Sequence, residues 1–101
     1  MQGGWVTILT NKAWGTLYIG VTNDLSRRLN EHRTGGASSF TRRYNLHRLV
    51  FVEHHARIEL AIQRESSTKR WPREWKTDLI TAQNPEWADL TEFHTGQRWS
   101  G

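Results

Sequence analysis

The sequence predicts an α+β fold in which a small three-stranded antiparallel sheet is flanked by helices. Residues 5–10 and 16–21 are short runs rich in β-branched and aromatic residues, with a polar, glycine-containing stretch between them. A third run of this kind, residues 48–53, comes before a segment with apolar residues at helical spacing. The expected order of elements is therefore β-β-α-β-α-α.

The first two strands predict a hairpin, and a helix is expected directly after it. Thr22 or Asn23 can cap this helix, and Asp24 in the first turn is favourable against the helix dipole. Leu25 and Leu29 share one face, which predicts that this face packs against the sheet. We expect the helix to end near residue 34, and the glycine- and serine-rich residues 35–39 to form a loop.

Two further helices are expected after the third strand. Residues 58–69 have helical apolar spacing, and Pro72 fits the first turn of a new helix over residues 72–81. Trp75 is predicted to point inward with its apolar neighbours in this last helix. The tryptophans near this region are predicted to belong to the core rather than to stack on bases: Trp71, Trp75 and Trp87.

Length and composition indicate one soluble domain. The chain of 101 residues is long enough for a single core, which we place in residues 1–94, with residues 95–101 as a frayed tail. It has no cysteine, which excludes disulfides and thiolate chemistry and suits a reducing cytoplasm. No apolar run is long enough to span a membrane. We expect a cytoplasmic monomer.

The positive charge is concentrated in residues 25–50. The chain carries a net charge of +4, and this segment has six arginines against one acid, Glu31. Its arginines are Arg27, Arg28, Arg33, Arg42, Arg43 and Arg48. Aromatic rings and histidines are interleaved with them, so the segment could grip phosphates and stack on exposed bases. The alternative is a solvated basic surface that only aids solubility.

One group of residues could carry acid–base chemistry beside a cation. Tyr18, Ile19 and Gly20 end the second predicted strand, and Arg28 and His32 follow at positions one helical turn apart. A cationic fork and a ring that transfers protons would then stand on one helix face beside the strand that bears Tyr18.

These residues, with the segments around them, resemble the GIY-YIG nucleases, specifically the small single-domain bacterial members. The resemblance covers nearly the whole chain, from WVTIL and GTLYIGVTNDLSRRLNEH through FTRRY, RLVFVE and ELAIQRE to WPREWK and NPEWADL. It assigns the second motif tyrosine to Tyr18, the helix arginine to Arg28 and the following position to His32. It also makes Glu65 the metal-binding glutamate and Asn84 the C-terminal asparagine.

The resemblance implies a DNA endonuclease that uses one divalent ion, Mg²⁺ or Mn²⁺. A single carboxylate with waters and substrate oxygens suits Mg²⁺, so Glu65 needs no acidic partner. Arg28 would bind phosphate oxygens as a planar fork. Asn84 would orient the active region or the substrate backbone, and branched or single-stranded DNA is the expected partner. The arginines expected to bind nucleic acid are Arg27, Arg33, Arg42 and Arg43.

Each of these residues also has a purely structural interpretation. Tyr18 could be a cross-strand packing residue, and Glu65 could pair with Lys69 on a solvated helix face. Asn84 before a proline is a common turn former. The adjacent residues His54 and His55 suggest a metal pair, but neighbouring strand residues point to opposite faces, so we interpret them as surface and edge residues.

The first signature strand departs from the family pattern. The position that corresponds to the first motif tyrosine is Thr7. In the family this tyrosine is commonly assigned the role of general base, and a threonine hydroxyl is a far worse proton acceptor. Tyr18 or His32 would have to replace it, and His32 is chemically the better substitute. The competing hypotheses are therefore a metal-dependent endonuclease, a nucleic-acid-binding relative without cleavage, and a protein-interaction domain.

Overall fold

The structure, a computed structural model, describes residues 3–33, 43 and 45–91. The side chains of His32 and Arg33 lie outside this description, as do the predicted loop at residues 35–39 and the predicted tail at residues 95–101. In the described part, no helix is both long enough and apolar enough to cross a bilayer.

The predicted α+β fold and order of elements are confirmed. The strands are β1 (Gly4–Thr10), β2 (Leu17–Thr22) and β3 (Arg48–His55), and the helices are α1 (Leu25–Arg33), α2 (Ile58–Lys69) and α3 (Arg73–Gln83). The three strands form one antiparallel sheet in the order β2-β1-β3, so β2 and β3 are its edges.

The sheet is covered on both faces because its strands carry two sets of apolar residues. One core cluster lies under α2 and α3 and consists of Val6, Ile8, Ile19, Val50, Phe51, Ala61, Ile80 and Trp87. The other lies under α1 and consists of Leu9, Leu25, Leu29, Leu46, Leu49 and Val52. A register shift between Ile8 and Leu9 explains why the adjacent residues Val50 and Phe51 both join the first cluster.

Asp24 caps helix α1, where Thr22 or Asn23 was expected. The Oδ1 atom of Asp24 accepts a hydrogen bond from the backbone N–H of Arg27 at 3.2 Å. Thr22 instead accepts a bond from the Asp24 N–H through its hydroxyl, at 3.0 Å. The chain therefore turns one residue later than predicted, and the carboxylate of Asp24 lies at the positive end of the helix.

The prediction that Trp75 points inward is wrong, because 56% of its surface is exposed. Trp71 is only partly buried, whereas Trp87 is fully buried as predicted. Helix α3 packs its inward face through Ile80 and Leu79, and Trp75 stands outside that face. Helical spacing alone placed Trp75 on an apolar face that the sheet does not cover.

Candidate active site at the edge strand

Tyr18 and Thr7 border the same small space above Gly20. Gly20 is the pairing partner of Thr7 across β1 and β2, and Tyr18 lies two residues before it on the same sheet face. A Cβ atom placed on Gly20 would lie 3.6 Å from Tyr18 Cε2 and 3.7 Å from Thr7 Oγ1. The positions of the two motif tyrosines are therefore neighbours, as a shared catalytic role requires.

Helix α1 covers this same face of the sheet. Tyr18 packs against the cluster that Leu25 and Leu29 enter from α1. Of the outward residues, Arg27 is exposed and lies near Asp24, and Arg28 is partly buried with its Nε 3.8 Å from Glu31 Oε1. Exposed ion pairs of this length are weak and leave both guanidinium groups able to turn to a phosphate.

The carboxylate of Glu65 is largely shielded from water. It lies on α2, and only 14% of its side chain is exposed. The ammonium of Lys69, one turn later, donates a hydrogen bond to Glu65 Oε2 at 2.8 Å. The pairing of Glu65 with Lys69 considered from the sequence is thus present, but Glu65 does not lie on a solvated helix face.

Lys69 is bonded to Glu65 and lies close enough to Tyr18 to interact with it electrostatically. Its pKa is raised above the ordinary value, chiefly by the hydrogen bond to Glu65 and also, in smaller part, by electrostatic attraction to Tyr18. Helix α2 packs on the opposite face from Tyr18, but β2 is an edge strand, so side chains from the two layers can meet beyond it. Glu65, Lys69 and Tyr18 form one cluster at this edge, which we call the edge site.

The edge site can supply one carboxylate to a metal ion. No group of three or more histidine, cysteine, aspartate or glutamate side chains capable of holding a metal occurs among the described residues. That composition does not fit a site made entirely of protein ligands, but it fits Mg²⁺, which keeps several waters and takes further ligands from substrate phosphates. Oε2 of Glu65 is bonded to Lys69, so the ammonium competes with any cation for this carboxylate.

Asn84 is buried in the fold at 7% exposure. Its amide nitrogen donates to the carbonyl oxygens of Val50, at 3.1 Å, and Ala88, at 2.9 Å. Its amide oxygen accepts from the Ala88 N–H at 3.1 Å. Both amide groups of Asn84 are engaged inside the fold, where they tie the residues after α3 to β3; its expected role in orienting the active region or the substrate backbone stays a prediction.

The structure describes the side chains of only some of the arginines expected to bind nucleic acid. Arg27 is exposed on α1, and Arg43 is exposed beyond it. Arg33 belongs to α1, but its side chain lies outside the described residues, as does the whole of Arg42. His32 lies on α1 four residues after Arg28, and its side chain is likewise outside the description.

The two adjacent histidines point to different neighbours, as their strand positions require. His54 is exposed, and its ring lies 4.4 Å from that of Trp5, measured between centroids. His55 Nε2 lies 2.8 Å from Glu53 Oε1. Since the two rings have separate partners, the structure agrees with the interpretation that they are not a metal pair.

Sequence reasoning missed Lys69 as a member of the site. Its spacing of four residues from Glu65 was noted, but only as a reason to regard Glu65 as structural. The signal that could have identified it is the apolar flank of Glu65, since Ala61 and Thr68 are buried on the same helix. A carboxylate between two buried positions is shielded from water, and a cation at the following turn then becomes its partner.

Comparison with known proteins agrees with this geometry. The profile of the GIY-YIG catalytic domain matches residues 3–78, a range that includes Thr7, Tyr18, Arg28 and Glu65 but ends before Asn84. A UPF0213 protein from Bacillus pumilus (strain SAFR-032) is 36% identical over 81 residues, which cover 80% of this chain and 82% of that protein.

A second relative and a solved structure extend the comparison. UPF0213 protein OB0043 from Oceanobacillus iheyensis is 35% identical over 71 residues, which cover 70% of this chain and 83% of that protein. The solution NMR structure of UPF0213 protein BH0048 from Bacillus halodurans has a TM-score of 0.56 and 28% identity, covering 92% of this chain and 98% of that one. The matches support a nuclease-type function in general, and this chain belongs to the GIY-YIG family.

Proposed function

We propose that this protein is a divalent-metal-dependent endonuclease that hydrolyses a phosphodiester bond in DNA. The observation that carries the proposal is the shielded carboxylate of Glu65 in the edge site, which is bonded to Lys69 at 2.8 Å and is only 14% exposed. As substrate we propose branched or single-stranded DNA of repair or recombination, bound by a monomer in the cytoplasm.

The chemistry needs a group that accepts a proton from water and positive charge around the phosphate in the transition state. Arg28 and Arg27 lie on the helix that covers the Tyr18 face of the sheet; Arg27 is exposed, and Arg28 keeps 41% of its side chain exposed. A guanidinium contacts two phosphate oxygens in one plane, so this pair can hold the substrate backbone against the edge site.

Glu65 is the residue we propose as the ligand for one Mg²⁺ or Mn²⁺ ion. When bound, the ion would polarise the phosphate oxygens and stabilise the charge that develops on them. Lys69 holds Glu65 in one position before that, because its ammonium is bonded to Oε2 at 2.8 Å. Released from Glu65, the Lys69 side chain is long enough to turn towards a phosphate and Tyr18.

For the proton acceptor we propose His32, with Tyr18 as the alternative. Thr7 stands where the first motif tyrosine is expected, and it is 93% buried beside Gly20 and Tyr18 rather than open to water. An imidazole titrates near neutral pH, whereas a threonine hydroxyl does not. His32 follows Arg28 by one turn of α1, which brings its Cα to the Arg28 side of that helix.

Thr7 is also the observation that favours a second candidate function, a nucleic-acid-binding domain without cleavage. A protein that has lost its general base can still keep the basic helix and the fold, and with them its ability to bind DNA. Both candidates bind DNA, and they differ only in hydrolysis.

The deciding experiment is nicking of labelled branched and single-stranded DNA by the purified protein in Mg²⁺ or Mn²⁺. We expect Glu65→Gln to abolish cleavage, because the amide removes the negative charge that holds the metal. Glu59→Gln is the matched control, since Glu59 lies on the same helix in an exposed ion pair with Arg57 at 3.6 Å. That control should cut like the wild type.

The other outcomes separate the hypotheses. Equal cleavage by wild type and Glu65→Gln would mean that Glu65 holds no catalytic metal. Absence of cleavage in every metal, with DNA binding retained, would establish the binding domain in place of the nuclease. A DNA affinity that does not change with salt would contradict both the nuclease and the binding-domain hypotheses. Each phosphate neutralised by the protein releases counterions, so binding to DNA must weaken as salt increases.

A further inference from the structure

Two tryptophans are half exposed at the end of the molecule where β1 turns into β2. Trp14 lies in that turn and Trp75 on the first turns of α3, and each is 56% exposed. Tryptophan is highly buried on average, so two exposed indoles in a chain of 101 residues require an explanation.

The two rings are held in place rather than left loose. Trp75 packs edge to face with Trp71, at 5.9 Å between centroids and 75° between planes, and the Arg64 guanidinium lies 5.1 Å from the Trp71 ring centre. The Trp14 ring stacks on the fully buried ring of Trp87, at 4.6 Å and 26°. One face of Trp14 is therefore covered, which leaves its other face towards solvent.

The backbone of Trp14 adopts an unfavourable conformation. Its φ of 63° lies in the left-handed region, which L-residues other than glycine enter at a cost of about 1–2 kcal/mol. Nη2 of Arg73 donates hydrogen bonds to the carbonyl oxygens of Trp14, at 2.8 Å, and Gly15, at 2.7 Å. These bonds join the turn to the start of α3, so the two tryptophan-bearing segments are fastened together.

The charges around these rings match a polyanion. Residues 69–76 contain Lys69, Arg70, Arg73 and Lys76 against a single acid, Glu74. Within the described residues, Arg70 and Lys76 form no ion pair with an acidic side chain. Because Lys69 is bonded to Glu65, this basic stretch begins at the edge site and continues towards the tryptophans.

We propose that the surface formed by Trp14, Arg70, Trp71, Arg73 and Trp75, the tryptophan surface, binds unpaired nucleotides of single-stranded DNA by stacking their bases on the indole rings. This inference rests on the proposed function and specifies its substrate. Base faces are covered by their neighbours in a duplex and become available only when a strand is unpaired. The surface therefore distinguishes a single strand, or the open arm of a branched DNA, from duplex DNA.

The test compares two ligands with the same phosphates. In EDTA, so that nothing is cut, binding of a fluorescent oligothymidylate and of an abasic oligonucleotide of equal length is measured by anisotropy for the wild type and Trp75→Leu. We expect the substitution to weaken oligothymidylate binding by at least about fivefold, since stacking on one ring contributes that much or more, and to leave abasic binding unchanged. Trp75→Phe should keep most of the affinity, because phenylalanine retains a ring.

Leu60→Ala serves as the matched control, because Leu60 is an exposed apolar residue at the other end of α2. Unchanged oligothymidylate binding in Trp75→Leu overturns the inference. An equal loss for both ligands also overturns it, since the effect would then not involve bases. Cleavage that depends on Glu65 without stacking on Trp75 would disprove only this inference, whereas stacking without cleavage would disprove only the nuclease.

Discussion

Thr7 stands at the position that we interpret as that of the first motif tyrosine. Its side chain is buried on the α1 face of the sheet, next to Tyr18 and opposite Gly20. Gly20 has no side chain, so a larger residue at position 7 can lie over its backbone, as aromatic residues do across from strand glycines.

We predict that Thr7→Tyr raises the rate of DNA cleavage by about tenfold or more, because general acid–base catalysis by a well-placed group contributes at least this factor. Single-turnover nicking rates of the two proteins measure the change. Thr7→Phe is the control, since it adds the same ring without the hydroxyl. A phenylalanine variant as fast as the tyrosine variant would mean that packing, rather than proton transfer, produced the gain.

Lys69 adds a constraint at the same scale. Its ammonium is bonded to the Glu65 carboxylate that we assign to the metal. Without metal, the Lys69 ammonium therefore occupies the place that we propose for the metal ion. A substrate that brings phosphates to the edge site offers Lys69 a second anion and thereby frees Glu65. Metal and DNA would then bind cooperatively, each stabilising the arrangement that the other needs.

Strands and helices were predictable here because their signals are local. The β-branched runs became β1 and β2, and the apolar spacing after residue 57 became α2 with the predicted bounds, Ile58–Lys69. Each signal needs only a few neighbouring residues. The family resemblance assigns catalytic roles to Tyr18 and Glu65, and these roles stay predictions; the structure adds that Glu65 is bonded to Lys69.

The failures concern choices that depend on distant parts of the chain. Trp75 belongs to an apolar helical pattern, but only the packing of α3 determines which side of the helix meets the sheet. Asp24 caps α1 in place of the expected Thr22 or Asn23, and β2 ends at Thr22, one residue later than predicted. Trp14 has a positive φ and its carbonyl oxygen accepts a hydrogen bond from Arg73, 59 residues later in the chain. No local sequence signal predicts such a long-range contact.

Helix α2 is fastened to β3 by a half-buried ion pair. Glu53 accepts hydrogen bonds from Arg64 Nε, at 2.9 Å, and Nη2, at 3.2 Å, and lies 2.8 Å from His55 Nε2. Burial alone would raise the pKa of Glu53, but the bonds and charges of Arg64 and His55 outweigh it and lower the pKa below its ordinary value of 4.5. The folded state therefore binds a proton at Glu53 less readily than the unfolded state.

This direction fixes the sign of a pH dependence. The stability that Glu53 contributes is fully present above its ordinary pKa and is lost as pH falls through the lowered folded value. We predict that the free energy of unfolding, measured in urea from pH 7 down to pH 3, falls more steeply for the wild type than for Glu53→Gln. Glu59→Gln, which removes an exposed carboxylate on α2, should follow the wild-type profile. Parallel profiles for wild type and Glu53→Gln would contradict the assignment.

At the scale of the whole molecule, basic groups lie on both sides of the sheet. Arg27 and Arg28 belong to the α1 layer, and Arg70 follows α2 in the opposite layer. The edge site lies at β2, where the two layers meet. A single strand that crosses this edge can contact cations of both layers at once, with the scissile phosphate beside Glu65.

We predict that Arg28→Gln and Arg70→Gln each reduce the slope of log affinity against log salt by about 0.7 for single-stranded DNA, and that the double variant reduces it by about 1.4. Additivity follows because one strand neutralised by both layers releases counterions at two separate phosphates. Arg57→Gln is the matched control, since Arg57 is exposed at the start of α2, away from the tryptophan surface. If Arg57→Gln lowers the slope equally, the DNA responds only to net charge. If only one of the two layers contributes, the strand does not cross the edge, and Glu65 and Arg28 cannot act on the same phosphate.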